Sequence, residues 1–158
     1  MINVLFVCLG NICRSPMADA VFAHLVKQAG LDDKIRVDSA GTSGWHVGEP
    51  AHRGTLAVLK KHHIPYNGRA RQFTHQDANQ FDYILAMDRS NLSDIKRLIG
   101  DPPNTEVAMF LSYANQAGLT TIQEVPDPYY NNNFDEVYDL VFKGCQALLD
   151  HIRKTHDL

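Results

Sequence analysis

The stretch Val4-Leu5-Phe6-Val7-Cys8-Leu9-Gly10-Asn11-Ile12-Cys13-Arg14-Ser15-Pro16 decides how this chain is read. Ile2 to Val7 reads as a buried strand that delivers the chain to Cys8. Gly10 and Asn11, two residues that tolerate unusual backbone angles, then form a short loop. Ser15 is a good N-cap and Pro16 a favoured first helical residue, so a helix is expected to begin there. A strand, a tight loop and a helix start, in that order, build an anion site. The loop N–H groups turn inward, and the helix end adds roughly half a positive charge.

A cysteine at the edge of such a nest is favoured as thiolate, by the N–H groups, the helix end and Arg14 together. Arg14 follows Cys8 at a spacing suited to gripping a phosphate with two parallel hydrogen bonds. Ser15 adds a hydroxyl that can donate to the sulfur. The stretch therefore pairs an anionic nucleophile with a cradle for a tetrahedral oxyanion. The alternative, an inert buried cysteine at a strand end, does not explain why Gly10, Asn11, Arg14, Ser15 and Pro16 surround it.

Away from that loop the chain bounds its own class. Its 158 residues suit one domain spanning 1–158, and 44% hydrophobic with 21% charged residues is ordinary globular composition. A formal charge of −3 without a polybasic run argues against nucleic acid or an anionic membrane as partner. No stretch approaches the roughly 20 apolar residues of a membrane span. The beginning of the chain lacks the pattern of a signal peptide. Three cysteines do not make a disulfide framework, so a cytoplasmic, reducing location fits. Cys8 and Cys13 have no second cysteine pair and His62-His63 no companion, so neither a metal nor another cofactor is expected. The adjacent histidines read as exposed partners of a helix end.

Helical spacing from Pro16 to about Ala29, stopped by Gly30, is followed by a short strand over 35–38 and a turn at Ser39-Ala40-Gly41. Residues 42–52 form a Gly- and Pro-containing loop, and 54–62 a helix. Phe81 to Met87 is a third strand with the near-continuous apolar run of a doubly covered sheet. Ser90 is expected to cap a helix whose Leu92, Ile95, Leu98 and Ile99 face inward, ended by Gly100. Val107 to Met109 forms a fourth strand. Phe134, Val137, Val141, Leu148 and Ile152 mark a long last helix, with Cys145 in the core. Strands alternating with helices imply an α/β fold: a single three-layer domain with a four-stranded parallel sheet, helices on both faces and an N-terminal phosphate-binding loop. Cys8 and Asp38 then sit at the carboxyl ends of strands, where sites gather.

Three blocks now carry a resemblance: Cys8-x5-Arg14-Ser15 near the start, Val37-Asp38-Ser39-Ala40-Gly41-Thr42, and Pro126-Asp127-Pro128-Tyr129-Tyr130 late in the chain. In this order they resemble the low-molecular-weight protein tyrosine phosphatases over essentially the whole length. The resemblance implies hydrolysis of phosphotyrosine in proteins, and of small aryl phosphates, through a phosphocysteine. Cys8 would be the nucleophile, Arg14 the phosphate clamp and Asp127 the general acid, then base. Leu9, Gly10, Asn11, Ile12, Cys13, Ser15, Trp45, Tyr129 and Tyr130 would bind substrate, the last three rings walling a deep slot. Asn11, in a left-handed conformation, would lock the loop through Ser15 and Ser39. Cys13 could close a protective disulfide with Cys8 under oxidation.

One departure stands out: where animal members have a histidine in that loop network, this chain has Gly68, so other groups must brace the loop. The partners implied are a tyrosine-phosphorylated protein and, at the loop, phosphate, vanadate or a similar oxyanion; the chain would be a monomer or weak dimer.

Three rival readings are weaker. Arsenate reductases that resemble this fold need a further cysteine after the third strand, and 86–92 has none. Phosphoarginine phosphatases of similar sequence carry Thr where this chain has Ile12, and an apolar side chain there favours an aryl ester. A phosphocysteine carrier would lack the counterparts of Arg14 and Asp127.

Overall fold

The computed structural model describes all residues, Met1–Leu158. Four parallel strands, β1 (Ile2–Cys8), β2 (Ile35–Gly41), β3 (Tyr83–Ala86) and β4 (Glu106–Met109), form one sheet in the order β2-β1-β3-β4. Strand β1 therefore has a neighbour on each side, with Val4 opposite both Val37 and Tyr83. Alternation along β1 divides its side chains between two cores. Val4, Phe6 and Cys8 belong to a cluster of 35 buried residues, whereas Leu5 and Val7 belong to one of seven on the other face. The larger cluster is closed by helices α1 (Arg14–Gln28), α2 (Arg53–Lys61), α4 (Ser112–Gln116) and α6 (Phe134–His156). The smaller lies under α3 (Arg89–Ile99), whose Ile95 is fully buried. Phe6 sits edge-on between Phe22 and Phe110, at centroid distances of 5.7 and 5.2 Å.

The chain leaves β1 for β2 on one side and returns to β3 on the other. The carboxyl end of β1 is thus where the winding reverses, the usual place for a ligand crevice in an open parallel sheet. No helix is long and apolar enough to cross a membrane.

Several expectations are corrected. Helix α1 starts at Arg14 after Cys13, and Ser15 does not cap it, because the Ser15 hydroxyl is taken by Asn11 and Cys8. Pro16 still fits, since no N–H is needed in a first turn. The residues read as a turn after the second strand are the end of β2, paired through Gly41 with Cys8. Helix α3 is capped by Asp88, not Ser90: Asp88 accepts from the Asn91 N–H while Asn91 Oδ1 accepts from the Asp88 N–H. Leu98, expected inside, is 50% exposed because it falls on the outer side of that helix. A five-residue 3₁₀ helix (His75–Asn79), α4 and α5 (Pro128–Asn131) were not foreseen; each is too short to show a period. His62 and His63 are exposed as expected, with His62 stacked on Tyr138 at 3.9 Å between centroids.

Candidate active site

The loop from Leu9 to Cys13 turns its carbonyls outward. Cys8 O accepts from Thr42 N, Leu9 O from Ser43 N and the Ser43 hydroxyl, Ile12 O from His52 N, and Cys13 O from the Thr55 hydroxyl. The N–H groups of residues 9–13 donate to no protein acceptor, so they are free to serve an anion. Asn11 holds the turn at φ 57°, and its amide nitrogen donates to Ser15 Oγ at 2.8 Å and Ser39 Oγ at 3.0 Å. Its Oδ1 accepts the Arg71 N–H at 3.0 Å. The Ser15 hydroxyl lies 3.0 Å from Cys8 Sγ.

Arg14 is 3% exposed, yet charged, and its partners explain how. Nη1 donates to Asp88 Oδ2 at 2.7 Å and to Val125 O at 3.0 Å, while Nη2 stands 3.7 Å from Asp127 Oδ2. Burial opposes the charge, but Cys8, Asp88 and Asp127 outweigh it and hold the guanidinium's pKa above its ordinary value. Asp127 Oδ1 accepts the Tyr129 N–H at 3.0 Å, so the same carboxylate caps α5. Burial first, then Asp127 and Cys8, push the Cys13 thiol up to about 12, so it stays protonated at neutral pH. All three cysteines are free, and Cys145 is fully buried.

Cys8, Leu9, Gly10, Ile12, Cys13, Arg14, Trp45, His46, Asp127, Tyr129 and Tyr130 line one cleft of ≈ 130 Å³. Sites for drug-sized ligands run to about 300–1,000 Å³, so this one takes a group rather than a molecule. Asn11 and Ser15, expected among the substrate-binding residues, are buried behind the cleft and do not line it; with Ser39 they support the loop from beneath. Trp45 and Tyr130 are 74% and 77% exposed, so the rings rim the cleft instead of walling a deep slot.

Three contributors escaped the sequence reading. His46 lies over Gly10 and is tied to Glu49 at 2.9 Å. Asp88 anchors Arg14, and its capping-box pattern with Asn91 was the available signal. Tyr66 reaches the loop support through Ser39, 3.5 Å away, and no spacing pattern announces it.

The sequence profile of the family described as low molecular weight phosphotyrosine protein phosphatase matches residues 3–158. This chain belongs to that family. It is therefore a hydrolase of the protein-tyrosine-phosphatase class, whose mechanism is cysteine-based hydrolysis of phosphotyrosine. It is similar to the low molecular weight protein-tyrosine-phosphatase YfkJ of Bacillus subtilis, 46% identical over 159 residues and the full length of both chains. The crystal structure of YfkJ superposes with a TM-score of 0.92 over 98% of this chain and 96% of that one. A protein tyrosine phosphatase of Entamoeba histolytica, solved with Hepes in its active site, is 32% identical at TM-score 0.90, covering 99% of each chain. The Drosophila arginine phosphatase DARP is 33% identical at TM-score 0.87, covering 97% of this chain and 98% of that one.

Proposed function

We propose that the phosphatase reaction runs through Cys8, Arg14 and Asp127, on phosphotyrosine in proteins. The observation that carries this is one small cleft lined by Cys8, Leu9, Gly10, Ile12, Cys13, Arg14 and Asp127, on a loop whose N–H groups have no protein acceptor. The Cys8 thiolate attacks phosphorus, the bond to the tyrosine oxygen breaks, and protonated Asp127 gives its proton to the departing oxygen. The loop amides and Arg14 stabilise the charge on the three equatorial oxygens. Water then attacks the phosphocysteine, Asp127 takes the proton, and phosphate leaves as the thiolate reforms.

Leu9, Ile12, Trp45, Tyr129 and Tyr130 supply apolar and aromatic surface at the mouth, which suits an aryl ester. Ile12 offers no polar group to a guanidinium, so tyrosine is preferred over the phosphoarginine that the Drosophila relative's name suggests for that protein. Free phosphate and vanadate compete at the loop. The 158 residues act as one domain, monomeric or weakly dimeric, and the three free thiols suit the cytoplasm.

In the test, Cys8→Ser abolishes turnover of a phosphotyrosine peptide while phosphate still binds by calorimetry, and acid quenching of the wild type traps phosphate on Cys8. Normal turnover in that variant overturns the assignment. Faster hydrolysis of phosphoarginine than of phosphotyrosine peptides overturns the substrate choice.

A further inference from the structure

Behind the loop the hydrogen bonds run in one direction. Asn11 Oδ1 accepts from Arg71, so the Asn11 amide must present both its hydrogens, one to Ser15 Oγ and one to Ser39 Oγ. Each serine oxygen is thereby an acceptor, and each hydroxyl hydrogen is free to go elsewhere. That of Ser15 has Cys8 Sγ at 3.0 Å, closer than its alternative, Ala40 O at 3.4 Å. That of Ser39 faces Tyr66 Oη at 3.5 Å and the Asp19 carboxylate beyond it, and Tyr66 donates to Asp19 Oδ2 at 3.2 Å, so the three share one junction. The phosphate chemistry itself uses neither Tyr66 nor Asp19.

The backbone makes room for this arrangement. A Cβ on Gly68 would stand 2.4 Å from Tyr66 Oη and 2.6 Å from its Cζ, so a side chain at 68 and the Tyr66 ring exclude each other. Asp19, on α1, and Tyr66 also share a groove of ≈ 500 Å³ with His24, Lys27 and His63. Asp38 and Arg71 act on Asp19 from the sheet side, and Cys145 of α6 also lies within its field. The outer end of the chain of hydrogen bonds thus opens on a different surface from the catalytic cleft.

We propose that Tyr66, held by Asp19, is a positioning residue for the reaction at Cys8: it orients Ser39, and through Asn11 aims the Ser15 hydroxyl at the sulfur. This rests on Cys8 being the nucleophile. The relay is worth about one ordinary hydrogen bond at its far end, a threefold to tenfold effect.

Tyr66→Phe removes only the hydroxyl, and Asp19→Ala removes the acceptor that holds it. The readouts are the rate of Cys8 alkylation by iodoacetamide at pH 6, located by peptide mass, and kcat and KM on a phosphotyrosine peptide. Expected is a fall of threefold or more in the alkylation rate and in kcat, with KM within twofold and an unchanged circular-dichroism spectrum. If Tyr66→Phe does not fold, Asp19→Ala carries the test. Both rates staying within threefold of wild type in every folded variant overturns the proposal. Alkylation needs no turnover, so it reads the relay even if Cys8→Ser shows that another residue is the nucleophile.

Discussion

Asp127 divides its carboxylate between two partners: Oδ1 accepts the Tyr129 N–H and Oδ2 faces Arg14 at 3.7 Å. Two substitutions separate these roles. Asp127→Asn keeps an oxygen for the cap and loses the proton, whereas Asp127→Ala loses both. If proton transfer is what Asp127 contributes, both variants lose about 10²–10⁴-fold in kcat on phosphotyrosine peptide, the usual range for a general acid. The loss shrinks on an aryl phosphate whose leaving group is acidic enough to depart unaided. Steady-state rates across a series of substituted phenyl phosphates check this, and a loss independent of the leaving group would reject the role. At this scale Cys8, Arg14 and Asp127 were legible because each sits in a local pattern of a few residues. Tyr66 was not: its partners are Ser39 and Asp19, 27 and 47 positions away, and only the folded chain brings the three together.

Among the elements, close approach decides more than propensity. Gly144 lies inside α6, where Ala would ordinarily gain about 1 kcal/mol of helix stability. Here a Cβ would sit 2.5 Å from Cζ and 2.8 Å from Cε2 of the fully buried Phe110 ring. Overpacking against a rigid core ring costs about 1–3 kcal/mol, so the clash wins. Gly144→Ala is expected to destabilise the fold by up to about 2 kcal/mol net, read as a lower urea midpoint with an unchanged slope. A midpoint raised above wild type would mean that α6 shifts freely against Phe110. The long elements were legible for a physical reason. The apolar residues of β1, α1 and α6 run long enough to show a period, and Gly30 and Gly100, both at positive φ, mark helix ends. Asp88 was passed over for Ser90 because the run Asp88-Arg89-Ser90-Asn91 holds several residues able to cap. Only the reciprocal bonds with Asn91 distinguish them.

For the molecule as a whole, parallel α/β layering follows from the alternation of strands and helices, but the order β2-β1-β3-β4 is a property of the packed sheet. That order places α1 over the larger core and leaves Asp19 in a half-buried position that tilts global stability. Burial first, then the Asp38 charge, raises the Asp19 pKa from 3.8 to about 7, although the Ser39 and Tyr66 hydrogen bonds and Arg71 pull the other way. The folded protein therefore keeps a proton that the unfolded chain releases near the ordinary carboxylate range. Folding takes up that proton between the two values, so this contribution is full below pH about 4, fades as pH rises to about 7, and is absent above. Asn at position 19 cannot ionise and escapes the loss. The melting temperature of Asp19→Asn minus that of the wild type should therefore grow from pH 4.5 to 7 and level off above. A difference that stays flat across that range would mean Asp19 ionises in the folded protein as it does in the unfolded chain.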